Sequence, residues 1–313
     1  MPDPGTAEGK ILVIRGGAIG DFILTLPAIR LLREGFPRHR IEIVGYRHIC
    51  ALADGRYYAE ATRCMEYAPM AGFFNPRSDL DPGLAGYFAS FDRVVSYLFD
   101  PDGFFEGNLR RCGVKNLTCA DPRVDGSIHA ARHLAQPLEL LGLVLDNPAA
   151  EFFPSETDRA EAANLLAGCE PPFVAIHPGS GSEKKNWPLA RWEELARSRR
   201  NAPGTLLVVG GESDCQRIAA LRTALQRTGN VRFLESLPLC TLGAVFYRCA
   251  LFVGHDSGIS HLAAAAGAPG LLLFGPTDPE IWAPKNPGVE ILQGNLGDLA
   301  VSEVRDRIER CGL

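Results

Sequence analysis

An apolar run that stops at a glycine-rich polar turn and continues as a helical pattern recurs along this chain. That alternation leaves few folds open. Ile11-Leu12-Val13-Ile14 leads into Gly16-Gly17-Ala18-Ile19-Gly20-Asp21. Phe22, Leu26, Ile29 and Leu32 then share one face of a helix from about Asp21 to Arg33, and Ile41-Glu42-Ile43-Val44 closes a β-α-β unit. The second half repeats the grammar. Phe173 to Ile176 runs into a turn from His177 to Pro188, and a helix follows with Trp192, Leu195 and Ala196 inward. Thr205 to Val209 ends in Gly210-Gly211-Glu212-Ser213-Asp214. Ala250 to Val253 ends in Gly254-His255-Asp256-Ser257-Gly258, before an Ala-rich helical pattern from Leu262 to Ala266. Gly270 to Phe274 ends in Gly275-Pro276-Thr277-Asp278. Further strands are expected at Val94–Phe99 and Val231–Leu234, and helices at His129–Leu141, Leu242–Cys249 and Ser302–Arg310.

Continuous apolar strands are those of parallel sheets covered on both faces. The fold class implied is α/β: two Rossmann-like domains whose parallel sheets face each other across a cleft. A length of 313 residues gives each half a core of ordinary size. The expected division is a disordered tail at 1–9, a first domain at 10–155, a second at 156–295 and a terminal helix at 296–313. The first domain is one candidate surface for that helix to pack on.

Composition removes several function classes. The net charge of −5 argues against a nucleic-acid binder, which needs a basic face. Nine scattered cysteines contain no Cys-x-x-Cys pair, so neither a zinc site nor a disulfide framework is indicated. Residues 1–9 have no apolar core of a signal peptide, and no apolar run approaches the roughly 20 residues of a membrane span. The expected location is the cytoplasm.

The first turn invites a dinucleotide reading and fails it. Gly17 and Gly20 fit two of the three glycines, but Arg15 stands at the first. Gly45-Tyr46 occupies the place of the acid that would hold the ribose. An NAD(P)-dependent oxidoreductase is therefore disfavoured. Asp21, at a helix start, reads as a cap or as a functional carboxylate. The turn at 254–258 aims backbone N–H groups and a helix dipole at one spot, which suits a phosphate. It reads equally well as an N-cap made by Asp256 or Ser257. The hydroxyls and lysines of 177–188 offer donors and positive charge to a pyrophosphate, or form a solvated loop. His129 and His133 are spaced for a metal on one helix face, but no third ligand accompanies them.

Three segments, Ile14–Ala28, His177–Ser180 with Lys185–Pro188, and Gly254–Leu262, together resemble glycosyltransferase family 9, the ADP-heptose:lipopolysaccharide heptosyltransferases and their relatives. They lie in the right order and span both halves. The resemblance implies a GT-B fold, with acceptor on the first domain and donor on the second. It implies inverting, metal-free transfer of a heptose from ADP-heptose, with no cofactor. Asp21 then matches the catalytic base, with Gly17 and Gly20 as substrate-binding positions in a turn whose backbone a substrate can approach closely. Lys185 matches the lysine on the donor phosphates, with Lys184 as its competitor and Ser180 and Ser182 beside them. Asp256 matches the acid on the donor sugar, and Ser257 and Gly258 the diphosphate turn. Glu212 and Asp214 compete for the ribose. His261 counts among the substrate-binding candidates, and the role of His255 stays open. The implied partners are a nucleotide sugar and a lipid-linked glycan acceptor. Arg30, Arg33, Arg38, His39 and Arg40 would form a surface for acidic groups at the inner leaflet of the inner membrane. A non-catalytic nucleotide-sugar-binding protein of the same fold is the competing reading, and Asp21 argues against it.

Overall fold

A computed structural model describes residues 8–226 and 228–313. The expected tail falls almost wholly outside the described residues, and Gly9 already belongs to the first strand. The chain divides into two compact units, Met1–Pro148 and Ala149–Leu313. The boundary lies before the linker expected to end at residue 155, because Ala150 and Phe152 already pack into the second unit. Phe152 donates its N–H to Ala265 O, and its ring lies against Gly243.

The first unit alternates β1 (Gly9–Arg15), α1 (Ile19–Gly35), β2 (His39–Gly45), α2 (Arg47–Cys50), β3 (Ala61–Cys64), α3 (Pro82–Ala89), β4 (Arg93–Ser96), α4 (Phe104–Arg111), β5 (Leu117–Cys119) and α5 (Ala130–Ala135). Its five strands are parallel, in the order β3-β2-β1-β4-β5. β1 is central, which is why Ile11 to Ile14 are wholly buried. Leu12, Ile14 and Val94 pack on one face with Phe73, Phe88, Phe105 and Leu109. Phe22, Leu26, Ile29 and Leu32 of α1 are buried as their helical spacing requires, and α1 packs beside α5.

The second unit contains α6 (Glu156–Leu165), β6 (Phe173–Ile176), α7 (Leu189–Ser198), β7 (Thr205–Gly210), α8 (Cys215–Ala224), β8 (Val231–Glu235), α9 (Leu239–Phe246), β9 (Cys249–His255), α10 (Gly258–Ala265), β10 (Gly270–Phe274), α11 (Pro279–Trp282), β11 (Val289–Gln293) and α12 (Val301–Arg310). Its six parallel strands run β11-β10-β9-β6-β7-β8. Trp187, Trp192, Leu195, Val208, Val253 and Leu273 centre one core, and Val304 and Ile308 of α12 join it. The terminal helix therefore packs on α7 of the second unit.

Some boundaries move for identifiable reasons. The strand expected to reach Phe99 ends at Ser96, where Tyr97 N–H still reaches Ile14 O but the ladder stops. The helix expected at 242–249 starts at Leu239, after Pro238, and ends before Cys249, which opens β9. β3, β5 and β11 have no apolar run to announce them. Each is a half-exposed edge strand in which the alternation is diluted by Arg63, Thr118 or Glu290. All nine cysteines are free thiols.

Candidate functional site

In the first unit, Gly16 to Ala18 leave the carboxyl end of β1 and α1 begins at Ile19, with Gly20 in its first turn. Gly17 takes φ +93°, and a Cβ there would come within 2.8 Å of Asp21 Oδ2. Glycine is needed twice over at that position, for the backbone and for the room. Asp21 Oδ2 accepts a hydrogen bond from Ala18 N–H at 2.8 Å, so the residue does cap the helix. Its side chain nevertheless keeps 42% of its surface exposed, which leaves carboxylate lone pairs available. Oδ1 lies 3.7 Å from Arg15 Nη2. Arg15, which spoils the dinucleotide fingerprint, is buried beneath this turn. It donates Nε–H to Thr25 Oγ1 at 2.9 Å, and its other N–H groups reach the carbonyls of Tyr97 and Asp21. Burial lowers the guanidinium below its usual value, and the charge of Asp21 opposes that shift.

The second unit brings together residues far apart in sequence. Its strand order reverses between β6 and β9, so His177 and His255 sit at neighbouring strand ends, the place where open parallel sheets bind ligands. Glu183–Lys185 form one 3₁₀ turn in the loop after β6. Lys185 Nζ meets Asp256 Oδ2 at 2.6 Å, while Lys184 points to solvent. Geometry thus separates the two lysines, with Lys185 held beside Asp256 and Lys184 exposed. Thr277, in the turn after β10, donates Oγ1–H to the same Asp256 oxygen at 2.8 Å. Thr277 was not singled out from sequence. The only signal available was its position at a strand end, directly after the Gly275-Pro276 punctuation.

Ser257 is the N-cap of α10. Its Oγ accepts from Ser260 N–H, and its carbonyl accepts from the N–H groups of Ser260 and His261. Gly258 opens the helix and is partly exposed with Ser257. His261 is buried on the inner face of α10. Ser180 Oγ donates to Ser182 O and accepts from Ser182 N–H, so this hydroxyl shapes its own loop. Ser182 is half-buried just before the 3₁₀ turn.

Asp214 and Glu212 separate clearly. Asp214 is 5% exposed, lies 3.2 Å from His177 Nε2 and accepts from Gly211 N–H at 2.9 Å. Burial alone would raise its carboxyl, but the bonds from His177 and Gly211 outweigh that and hold it below the usual range. Its contacts are internal, whereas Glu212 is exposed. Gly179 passes directly over Asp214, so any Cβ there would collide with the carboxylate. Gly179→Ala is expected to destabilise the second unit by about 1–3 kcal/mol, the usual cost of overpacking. Urea unfolding checks this, and an unchanged midpoint would refute the close approach.

Several of the remaining candidates have partners within the chain. His129 Nδ1 caps α5 through Ala131 N–H, and His133 Nε2 lies 3.1 Å from Asp121 O. Of the basic cluster expected to face a membrane, Arg33 is buried in a pair with Glu60 at 2.9 Å. Arg30 donates to Asn147 O, and Arg38 pairs with Glu8. Arg33 thus leaves that surface because its helical position points inward.

A family model described as glycosyltransferase family 9 (heptosyltransferase) matches residues 114–310. Lipopolysaccharide heptosyltransferase 1 of Pseudomonas aeruginosa is 26% identical over 293 residues, covering 86% of this chain and 79% of the relative. Among solved structures, a family 9 glycosyl transferase from Veillonella parvula superposes with a TM-score of 0.81 at 17% identity, covering 98% of this chain and 97% of the other. An E. coli ADP-heptose lps heptosyltransferase II gives 0.79 at 18% identity, covering 96% and 98%. Those two structures support the fold: two parallel-sheet Rossmann-like halves of the GT-B class.

Proposed function

This chain belongs to glycosyltransferase family 9 (heptosyltransferase), and on that premise we propose that it transfers a heptose from ADP-heptose to a lipopolysaccharide core acceptor, with inversion and without a metal. The observation that carries the reading is the Lys185–Asp256–Thr277 cluster at the strand ends beside the α10 N-terminus. An ammonium has three donors. One is directed at Asp256, and two remain for the diphosphate. The N–H groups of Gly258 and Ile259, together with the α10 dipole, add partial positive charge where the leaving group would form. These supply without a metal the stabilisation that departing ADP requires.

The other half of the chemistry falls to Asp21. As the acceptor hydroxyl attacks the anomeric carbon, its proton must leave. A half-exposed carboxylate fixed by Ala18 N–H is suited to take it. Asp256 has one oxygen engaged by Lys185 and Thr277, so its second oxygen is the one offered to the donor sugar. Glu212 is the proposed ribose contact, with Ser182 and His261 as supporting contacts. The acceptor is proposed to be lipid-linked and met at the inner leaflet from the cytoplasm. No helix among the described residues is long and apolar enough to cross a membrane.

A nucleotide panel tests the donor class. ADP or an ADP-sugar at a hundred times its dissociation constant stabilises the protein by about 2.7 kcal/mol. That corresponds to a rise of about 5–10 °C in Tm for a domain of this size. NAD should leave Tm unchanged. Stabilisation by NAD without ADP would overturn the assignment.

A further inference from the structure

We infer that His255 is a positioning residue: its ring pins both ends of the loop that carries Lys185, and so holds the ammonium against Asp256. The inference rests on the nucleotide-sugar reading above. His255 is the last residue of β9 and is wholly buried. Nε2 accepts the N–H of Trp187 at 2.8 Å. A nitrogen that accepts is unprotonated, so the proton of the neutral ring sits on Nδ1. Nδ1 lies 3.2 Å from Gly179 O and donates to it. Gly179 and Trp187 bracket the loop, and Lys185 lies between them. The ring edge also meets Trp192 at 5.3 Å and 89°, which fixes its plane against α7. The His255 carbonyl accepts Ser260 Oγ–H, linking the same residue to α10. The ring therefore ties the Lys185 loop to α7, and the backbone of the same residue ties it to α10, without the ring lining the proposed phosphate site. Burial pushes its pKa down to about 3, which keeps one nitrogen a donor and the other an acceptor at neutral pH.

The test uses ADP binding by titration calorimetry on the full chain. His255→Asn places an amide N–H near the Nδ1 position and leaves nothing at Nε2, so Trp187 N–H loses its acceptor. It is expected to weaken ADP about tenfold. His255→Gln reaches the Nε2 position and is expected to return affinity to within about threefold. In a Lys185→Ala background, His255→Asn should cost less than about twofold, because the residue acts through Lys185. An unchanged ADP affinity in His255→Asn, or a full additive loss in the double variant, overturns the inference. Nitrogen NMR of the wild-type ring at pH 7 gives a second decision that no folding failure can block. The Nδ1–H tautomer supports the arrangement, and the Nε2–H tautomer or a charged ring refutes it. A wild-type protein that does not bind ADP instead refutes the nucleotide-sugar reading, which keeps the two failures apart.

Discussion

Asp21→Asn is expected to lower kcat for glycosyl transfer by about two to four orders of magnitude, the range supplied by a positioned general base. ADP affinity should stay within about twofold of wild type, since the proposed donor contacts lie in the second unit. Thermal stability should also hold. The amide oxygen of Asn can still accept Ala18 N–H, so the cap survives while the proton acceptor is lost. The substitution therefore separates the two roles that Asp21 can play. A helix cap alone predicts full activity in the Asn variant and a loss of stability in Asp21→Ala. Steady-state assays with a nucleotide sugar and a competent acceptor, together with melting curves, read both arms. Full transfer by Asp21→Asn would sink the base assignment.

Lys185→Ala is the second large effect. It removes the ammonium proposed to neutralise the departing diphosphate, and kcat should fall by about 10²–10³-fold, as when one preorganised donor is deleted from a charged transition state. The donor KM should rise as well, because the ground state carries the same phosphates. The substitution also leaves Asp256, 9% exposed, with Thr277 as its remaining side-chain partner. Lys185→Arg can still pair with Asp256, but its longer side chain and planar fork place the charge differently from a compact ammonium, so it is expected to restore activity only in part. Lys184→Ala, exposed and outside the pair, provides the control and should behave as wild type. Equal losses in the two alanine variants would refute the distinction between the lysines.

What the sequence made legible follows a physical line. Central strands such as β1, β6, β7 and β9 are buried on both faces, so their apolar runs are unbroken and visible. The turns and helix starts that follow them carry Asp21, Lys185 and Asp256, which local reading leaves open between a cap or solvated loop and a functional role, and to which the family resemblance gives roles. Edge strands β3, β5 and β11 are half-exposed and left no such trace. The finer assignments depend on contacts between distant residues. Lys185 and Asp256 are 71 positions apart, and Trp187 and His255 are 68 apart. No window of sequence reports that one lysine of an adjacent pair meets a carboxylate, or that Thr277 shares it. The separation of Glu212 from Asp214 likewise needed the third dimension, because His177 claims Asp214 from the turn after a different strand.

The two sheets share one strand order about their first strand: β3-β2-β1-β4-β5 in the first unit, and β8-β7-β6-β9-β10-β11, read from the other edge, in the second. In each unit the segment between that first strand and the body of the next helix carries the residue on which the proposed reaction depends. After β1 it is a carboxylate, Asp21. After β6 it is an ammonium, Lys185. A single frame, used twice with opposite charge, thereby divides the labour of a displacement. On the proposed reading, one copy draws a proton from the incoming oxygen, and the other receives negative charge from the outgoing one. On that reading each copy can be retuned by substitutions in its own loops, so the proposed acceptor and donor sites can change independently of each other.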